Sequence, residues 1–516
     1  MSSIHSSVYH DHNKHIMQPP KFTSRAIAKY FKTRFTTLVP SKEELKGVTK
    51  TDVFFPFKVL GELNRRQWNF YLIGLAGWTW DAFDFFAVSL NVANIAESLN
   101  ESHKSITWGI TLVLMLRAVG AVIFGLWGDR YGRKWPYIVN MFLLVVLQIG
   151  TGFVQTYKQF LGVRALFGIA MGGMFGNCAA CALDDCPPKA RGFISGMFQQ
   201  GYALGYLLVV VFQRAITDTT EKGWRSLFWF SAGPAVLFMI WRFFTPETDT
   251  FLRQQDRRRA SREKEPLKIY QFSSQGKEAM RKYWLVVIYS VLMMAGFNFM
   301  SHGSQDLYPT MLTVQYGYGA DRSAVTNSVA NLGAIFGGMV FGHISTFIGR
   351  RLAIIIACVL GGAMIYPWAF IKGSGINAGV FFLQAGVQGA WGVIPIHLSE
   401  LSPPEYRSFV AGTAYQLGNL CSSASSTIEA TIGQRFPLKS EEGDIYDYAK
   451  VMAIFIACVF VYVILITFFG PENRGAAMGV ERDEYLVEET DDEKSIEDSL
   501  DDRDSKSHTK HHEVAV

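Results

Sequence analysis

Apolar stretches of about twenty residues recur along most of this chain, and no other feature limits its fold so sharply. From Trp68 onward they fall at about 68–92, 106–127, 135–156, 158–182, 192–213 and 224–245. A second set falls at 283–307, 323–346, 352–371, 376–398, 407–432 and 449–470. Each is near the ~20 residues a helix needs to cross a bilayer. Glycine recurs within them, as helices packing closely in lipid require. Charged residues are 18% of the chain, below the roughly 25% of an average soluble protein. A soluble multidomain enzyme and a disordered scaffold are both disfavoured. The expectation is an all-α membrane protein with twelve transmembrane helices.

Charge gives the expected orientation. The chain has a formal net charge of +5, yet Gly470 to Val516 carries −9, leaving +14 on the rest. That basic body points to a membrane rather than to nucleic acid. Twelve Lys and Arg lie before Trp68, and eleven lie between Arg242 and Lys282, including Arg257, Arg258 and Arg259. Arg130, Arg133 and Lys134 follow the second stretch, and Arg350 and Arg351 follow the eighth. Twelve spans put all of these on one side, the cytoplasmic side by the positive-inside rule, together with both termini. No cleavable leader is visible, so the first span is expected to act as the signal. The expected division is a polar, basic tail at 1–66, a six-helix bundle at 67–245 and a cytoplasmic linker at 246–282. A second six-helix bundle at 283–470 and an acidic, solvated tail at 471–516 complete it. Asn100-Glu101-Ser102 is a glycosylation sequon in an expected outer loop, one that is short for modification.

The two halves repeat each other. Asp184-x6-Arg191 in DDCPPKARGFISG recurs as Glu400-x6-Arg407 in ELSPPEYRSFVAG. GLWGDRYGRK at 125–134 recurs, degraded, as GHISTFIGRR at 342–351, and Pro246-Glu247 is echoed by Pro471-Glu472. Two bundles related by an axis along the membrane normal, with a substrate site between them at mid-membrane, fit this pattern. The motif Gly125-x3-Asp129-Arg130-x-Gly132-Arg133-Lys134 resembles the signature loop of the major facilitator superfamily. The acid-x6-Arg and Pro-Glu motifs resemble its sugar-porter-like branches. The resemblance covers about 66–472 and implies the fold of two pseudo-symmetric six-helix bundles. It also implies gating roles for Asp129, Arg130, Arg133, Asp184, Arg191, Glu400 and Arg407. Thr346 stands where the first half has Asp129, so any latch is expected to be asymmetric.

Ionisable groups inside a span are costly in lipid and are therefore site candidates. Arg117 lies twelve residues before Asp129, about 18 Å along a helix and so near the midplane. Its planar guanidinium suits carboxylate oxygens, with Asp84 or Asp81 of span 1 as alternative partners. Asp84 is also a candidate for proton coupling. Arg164 and Glu429, nearer span ends, are weaker candidates. In span 7, Asn298, Ser301, His302, Gln305 and Asp306 are spaced i, i+3, i+4, i+7 and i+8, one polar face of a helix. An imidazole one turn from a carboxylate suits proton uptake; the bland alternative is a hydrogen-bonded seam. Gln416 and Asn419 share a face of span 11, and Gln199 and Gln200 stand in span 5; interhelical glue is the alternative for these amides. Cys178-x2-Cys181-x4-Cys186 lacks further ligands nearby and fits small apolar residues better than a metal site. The tail histidines His508, His511 and His512 also fit solvated side chains better than ligands. No cofactor and no metal are expected.

Asn298-x2-Ser301-His302-x-Ser304-Gln305-Asp306-x3-Thr310 resembles the signature of the fungal Jen family of carboxylate/proton symporters. The resemblance implies import of lactate, pyruvate, malate or succinate across the plasma membrane. It implies recognition and coupling roles for Asn298, His302, Gln305 and Asp306, and a place on the substrate path for Gln416 and Asn419. Gln199 and Gln200 could supply amides for a second carboxylate, a slight lean toward dicarboxylates. Two other classes compete. An acyltransferase-like enzyme would use His302-x3-Asp306, but no second catalytic constellation accompanies it. A non-transporting carboxylate sensor, or a transporter of another small organic anion, shares the same fold.

Overall fold

The computed structural model describes residues 22–40, 48–217, 219–260, 269–403, 406–440 and 443–474. The tail beyond Arg474, with its histidines, and linker residues 261–268 lie outside them. Twelve helical passes fill the described chain. Span 1 is Arg65–Leu90 and span 2 His103–Tyr131. Span 3 is Lys134–Phe153 and span 6 Trp224–Phe244. Span 4 joins Tyr157–Gly172 to Met174–Leu183. Span 5 joins Arg191–Gln199 to Gly201–Phe212 and a wider turn at Gln213–Thr217. In the second half, span 7 is Ile269–Gln305, span 8 Ala320–Ile348 and span 10 Ile376–Leu401. Span 9 joins Arg350–Ala363 to Ile365–Ala369, span 11 joins Arg407–Ser422 to Ser425–Gly433, and span 12 is Tyr448–Phe469.

Among the described residues, nine helices are long and apolar enough to cross a membrane by themselves. Span 1, which carries Asp81 and Asp84, is not among them, nor are spans 9 and 11. Span 7 starts well before residue 283, since the polar residues ahead of the apolar stretch continue the same helix. Elements outside the apolar stretches include the helix Ser24–Thr36, set in the basic tail, and a hairpin of strands β1 (Pro437–Ser440) and β2 (Gly443–Tyr446) between spans 11 and 12.

Backbone contacts make the repeat physical. At Gly120 of span 2 a Cβ would meet the carbonyl of Ile169 in span 4; at Gly337 of span 8 it would meet that of Ala385 in span 10. These are corresponding positions. Small residues let each helix pair approach backbone to backbone. Gly132 and Gly349, at the two motif turns, both have φ of 100°, a conformation a side chain strains. Each turn is then capped by a Pro-Glu carboxylate. Glu247 Oε2 accepts from the Lys134 N–H at 3.0 Å; Glu472 accepts from the Arg350 and Arg351 N–H groups at 3.2 and 3.0 Å. A carboxylate at a helix amino terminus satisfies free N–H donors and the helix dipole. The echo of Pro246-Glu247 in Pro471-Glu472 therefore has one cause in both halves.

Candidate substrate site and gate

The end of the molecule bearing the Asp129 and Arg350 turns is closed by a charge network between the bundles. Within the first bundle, Arg133 Nη1 donates to Asp129 Oδ1 at 2.7 Å, and its Nε lies 3.4 Å from Asp184 Oδ2. Within the second, Arg350 donates to both oxygens of Glu400 at 3.0 Å. Two links then cross over. Arg407 Nη1 donates to Asp184 Oδ1 at 2.9 Å. Asp129 accepts from the Ser408 and Phe409 N–H groups at 3.0 and 2.8 Å, capping span 11. Arg191 lies in the field of Glu400 and donates its Nε to the Cys186 carbonyl at 3.0 Å. Thr346, at the place of Asp129, accepts instead from Arg350 Nη1 at 3.3 Å. The Arg130 guanidinium lies over the Tyr131 ring at 4.9 Å.

Close backbone crossings hold this end shut. Gly192 and Gly196 of span 5 meet the Gly342 and Gly338 carbonyls of span 8, and Gly125 of span 2 meets Phe409 of span 11. The Ser195 hydroxyl enters span 10 beside Pro395, donating to the Gly392 carbonyl at 2.8 Å and accepting from the Ile396 N–H at 3.1 Å. Pro395 lacks an N–H and disturbs the helix there; the serine supplies part of what is missing.

Above the network lies an aromatic layer shared by both bundles. Phe175 stacks on Tyr415 with ring centroids 4.1 Å apart, Trp78 is 5.8 Å from Tyr415, and Trp391 is 5.7 Å from it. Phe175, Trp391 and Tyr415 stand eight or nine residues from Asp184, Glu400 and Arg407, about 13 Å along a helix.

Beyond the aromatics lies Arg117, 2% exposed. Its guanidinium sits 4.5 Å over the Phe85 ring and against the Met171 sulfur, while Nε has no hydrogen-bond partner. A buried donor left unpaired costs about 1–3 kcal/mol. Its charge acts on Asp81, Tyr202, Tyr415 and His302. The acid beside Arg117 is thus Asp81. Asp84 turns the other way, among Gln148, Ser231 and Arg164, and Arg164 also donates to Gln148 Oε1 at 3.0 Å and to the Thr151 hydroxyl.

On span 7, His302 Nδ1 is 3.0 Å from Asp306 Oδ2, with the two side chains 27% and 38% exposed. Gln305 donates to Gln384 Oε1 of span 10 at 3.1 Å. Asn298 donates to the Met294 carbonyl of its own helix at 2.8 Å. Asn419 donates to Gln416 Oε1 at 3.2 Å, and both are buried. Gln199 Oε1 and Gln200 Nε2 are buried without partners, Gln200 lying against Gly338 of span 8. Glu429 is fully buried, close to Gly303 of span 7. Cys178 and Cys181 are core residues of span 4, Cys181 directed at the Phe70 carbonyl.

Tyr202, Tyr415, Trp78 and Gln384 join the site without having been singled out in the sequence. The aromatics resemble any apolar residue of a span there, and only the partner of Gln384, the polar face of span 7, could have pointed to it.

Comparisons agree with this architecture. The family model described as "Sugar (and other) transporter" matches residues 59–478. A "Carboxylic acid transporter protein homolog" of Saccharomyces cerevisiae is 41% identical over 469 residues, covering 88% of this chain and 75% of the yeast protein. A "Cis,cis-muconate transport protein" of Acinetobacter baylyi is 24% identical, over 68% of this chain and 84% of its own length. Among solved structures, the proton:xylose symporter XylE superposes with a TM-score of 0.63 at 16% identity, covering 81% of this chain and 98% of XylE. The human organic anion transporter MFSD10 gives 0.57 at 13%, over 78% and 99%. The fold is therefore that of two pseudo-symmetric six-helix bundles, the homologues are transporters rather than enzymes, and the chain belongs to the major facilitator superfamily, within it to the sugar (and other) transporter family and the Jen branch whose span 7 signature it carries.

Proposed function

We propose that this protein is a secondary active transporter that carries short-chain carboxylates across the plasma membrane together with protons, by alternating access. The observation that carries the reading is Arg117: a buried, permanently charged guanidinium at mid-membrane with an unpartnered Nε. Its field reaches the partly exposed His302–Asp306 pair of the other bundle. A guanidinium so placed is matched to a carboxylate. The 41% identical yeast relative, named for carboxylic acid transport, supports the substrate class.

In this reading the charged turns are the cytoplasmic gate, both termini are cytoplasmic, and the conformation described is open to the outside. A proton taken up at His302 and Asp306 completes the positive side of the site. The substrate carboxylate then docks on Arg117 with Tyr202 and the Gln305–Gln384 amides. Asn298, Gln416 and Asn419 order the facing helices, and Asp81 holds the Arg117 side chain until the substrate displaces it. Asp84 is the remaining candidate for the proton. Rocking of the bundles about the span 2–11 and 5–8 crossings breaks the gate contacts of Asp129, Arg130, Arg133, Asp184, Arg191, Glu400 and Arg407 and releases both ligands inside. The unpartnered Nε2 donor of Gln200 supports a second carboxylate, and so a lean toward malate and succinate over lactate and pyruvate; Gln199, whose free atom is the acceptor Oε1, would join it only with its amide turned.

The test is uptake of labelled succinate and lactate into proteoliposomes under an imposed pH gradient. Acid outside should drive accumulation, and Arg117→Ala should abolish it. Binding without accumulation would favour a sensor, and uptake by Arg117→Ala equal to wild type would remove the recognition role.

A further inference from the structure

The helix Ser24–Thr36 precedes both bundles and takes no part in the gate or the substrate site. Its three faces differ in chemistry. One face is docked: the Tyr30 hydroxyl donates to the Phe469 carbonyl at 2.8 Å, and Arg34 donates to the Gly470 carbonyl at the end of span 12. Arg351 of span 9 donates back, to the Arg34 carbonyl at 3.1 Å and the Thr37 hydroxyl at 3.2 Å. A second face is apolar and exposed: Ile27, Phe31 and Phe35 recur every four residues and are 44%, 48% and 68% exposed, with Phe22 at 68% just before them. The third face is cationic, with Arg25, Lys29 and Lys32 all exposed and no acidic residue in the first turn.

An apolar face of this kind costs hydration free energy in water. It is also continuous with the lipid-facing girdle. Phe31 packs edge-on to Phe469 at 5.8 Å, Phe35 to Phe468 at 5.1 Å, and Phe22 lies 6.4 Å from Trp284 of span 7. Trp284 and Phe469 are themselves 40% and 44% exposed on the outer surface of their spans. An amphipathic helix with aromatic and basic faces at the ends of transmembrane helices has the chemistry of an interfacial helix.

We propose that Ser24–Thr36 is a lipid-binding helix that lies in the headgroup layer at the gate end. Its Ile27–Phe31–Phe35 face enters the acyl boundary, and Arg25, Lys29 and Lys32 hold anionic phospholipid headgroups. The complementary charge commits the surface to acidic lipid rather than to another protein. Because the docked face ties the helix to span 12 and to the Arg351 turn, lipid binding fastens the second bundle to that leaflet.

The test is hydrogen exchange by mass spectrometry on the full-length protein in bilayers of phosphatidylcholine alone and of phosphatidylcholine with phosphatidylserine. Amides 24–36 should exchange several-fold more slowly with phosphatidylserine present, and high salt should erase the difference. Lys29→Gln and Lys32→Gln should each return a part of that protection, at most the roughly fivefold expected for one cation at an anionic surface. Unchanged exchange in span 12 would certify the fold of these variants, since the docked face is untouched. Equal exchange in the two bilayers, or a difference that survives high salt, would overturn the proposal. That comparison needs only the wild-type chain.

Discussion

Arg407, at the start of span 11, donates to the Asp184 carboxylate at the end of span 4 across 2.9 Å, and both side chains are almost fully buried. Asp184 is at the same time 3.4 Å from Arg133 of its own bundle. One carboxylate thus joins an interaction within the first bundle to one between the bundles. Separating the bundles at this end strands the Arg407 charge unless water enters. Removing one partner of such a buried pair costs about 3–5 kcal/mol, so the link biases the conformational equilibrium strongly. Arg407→Gln should shift the population toward the state open at the gate. The measurement is maleimide labelling of Ala411→Cys, 3% exposed in the closed gate, from the gate side of oriented vesicles. Labelling should rise many-fold in the double variant, and an unchanged rate would count against the latch.

The two acids of span 1 should separate in their effects. Asp81 lies in the field of Arg117, whereas Asp84 lies with Arg164, Gln148 and Ser231 inside the first bundle. Asp84→Asn leaves a fully buried guanidinium with one anion fewer, so apparent Tm should fall by several degrees, and Arg164→Gln in the same chain should restore part of it. Asp81→Asn should alter substrate affinity, which Asp84→Asn should leave near that of the wild type. Loss of stability in both variants, with transport spared in neither, would mean that the pairings do not divide the roles.

These two acids also mark where sequence reasoning stops. The turn motifs and their repeat were legible because corresponding residues recur at nearly constant spacing and carry charge, and the polar face of span 7 because helical periodicity lays it out. Which of Asp81 and Asp84 meets Arg117 depends on the rotation of span 1 about its axis, set by contacts such as Gly77 against Tyr137 and Cys178. No local pattern encodes that rotation. The helix Ser24–Thr36 was hidden in a basic tail for the same reason: its docked face is defined by the Gly470 and Phe469 carbonyls, more than four hundred residues away.

Asp52 offers a pH prediction. The Lys58 ammonium at 2.9 Å, with the Thr49 N–H at 3.1 Å, holds its carboxyl well below the usual carboxylate range. Lys189 of the first bundle is 3.6 Å away, and His343 of span 8 hydrogen-bonds the Asp52 and Val53 carbonyls. Residues 49–58 thus touch both bundles. A depressed pKa stabilises the fold above the unfolded value near 4 and loses its effect only as pH falls toward the folded one. Asp52→Asn should therefore weaken this contact equally from pH 5 to 8. Its uptake profile should keep the wild-type shape at a changed amplitude, whereas Asp306→Asn should flatten the acid stimulation. A shape change in Asp52→Asn would implicate this carboxylate in coupling.

Gly338 tests the lean toward dicarboxylates. A Cβ there would stand 2.0 Å from Gln200 Nε2, far inside the ~3.5 Å of ordinary carbon contacts. The obstructing atom is the end of a flexible side chain, so Gly338→Ala should displace the amide and keep the fold, at a cost near the low end of the 1–3 kcal/mol typical of overpacking. If Gln200 receives a second carboxylate, the variant should lose succinate and malate affinity about tenfold, the loss of one charge-assisted hydrogen bond, and keep lactate uptake. Competition of labelled lactate by unlabelled succinate reads this directly. Parallel losses for both substrates would place Gln200 in helix packing and leave recognition to Arg117 and span 7.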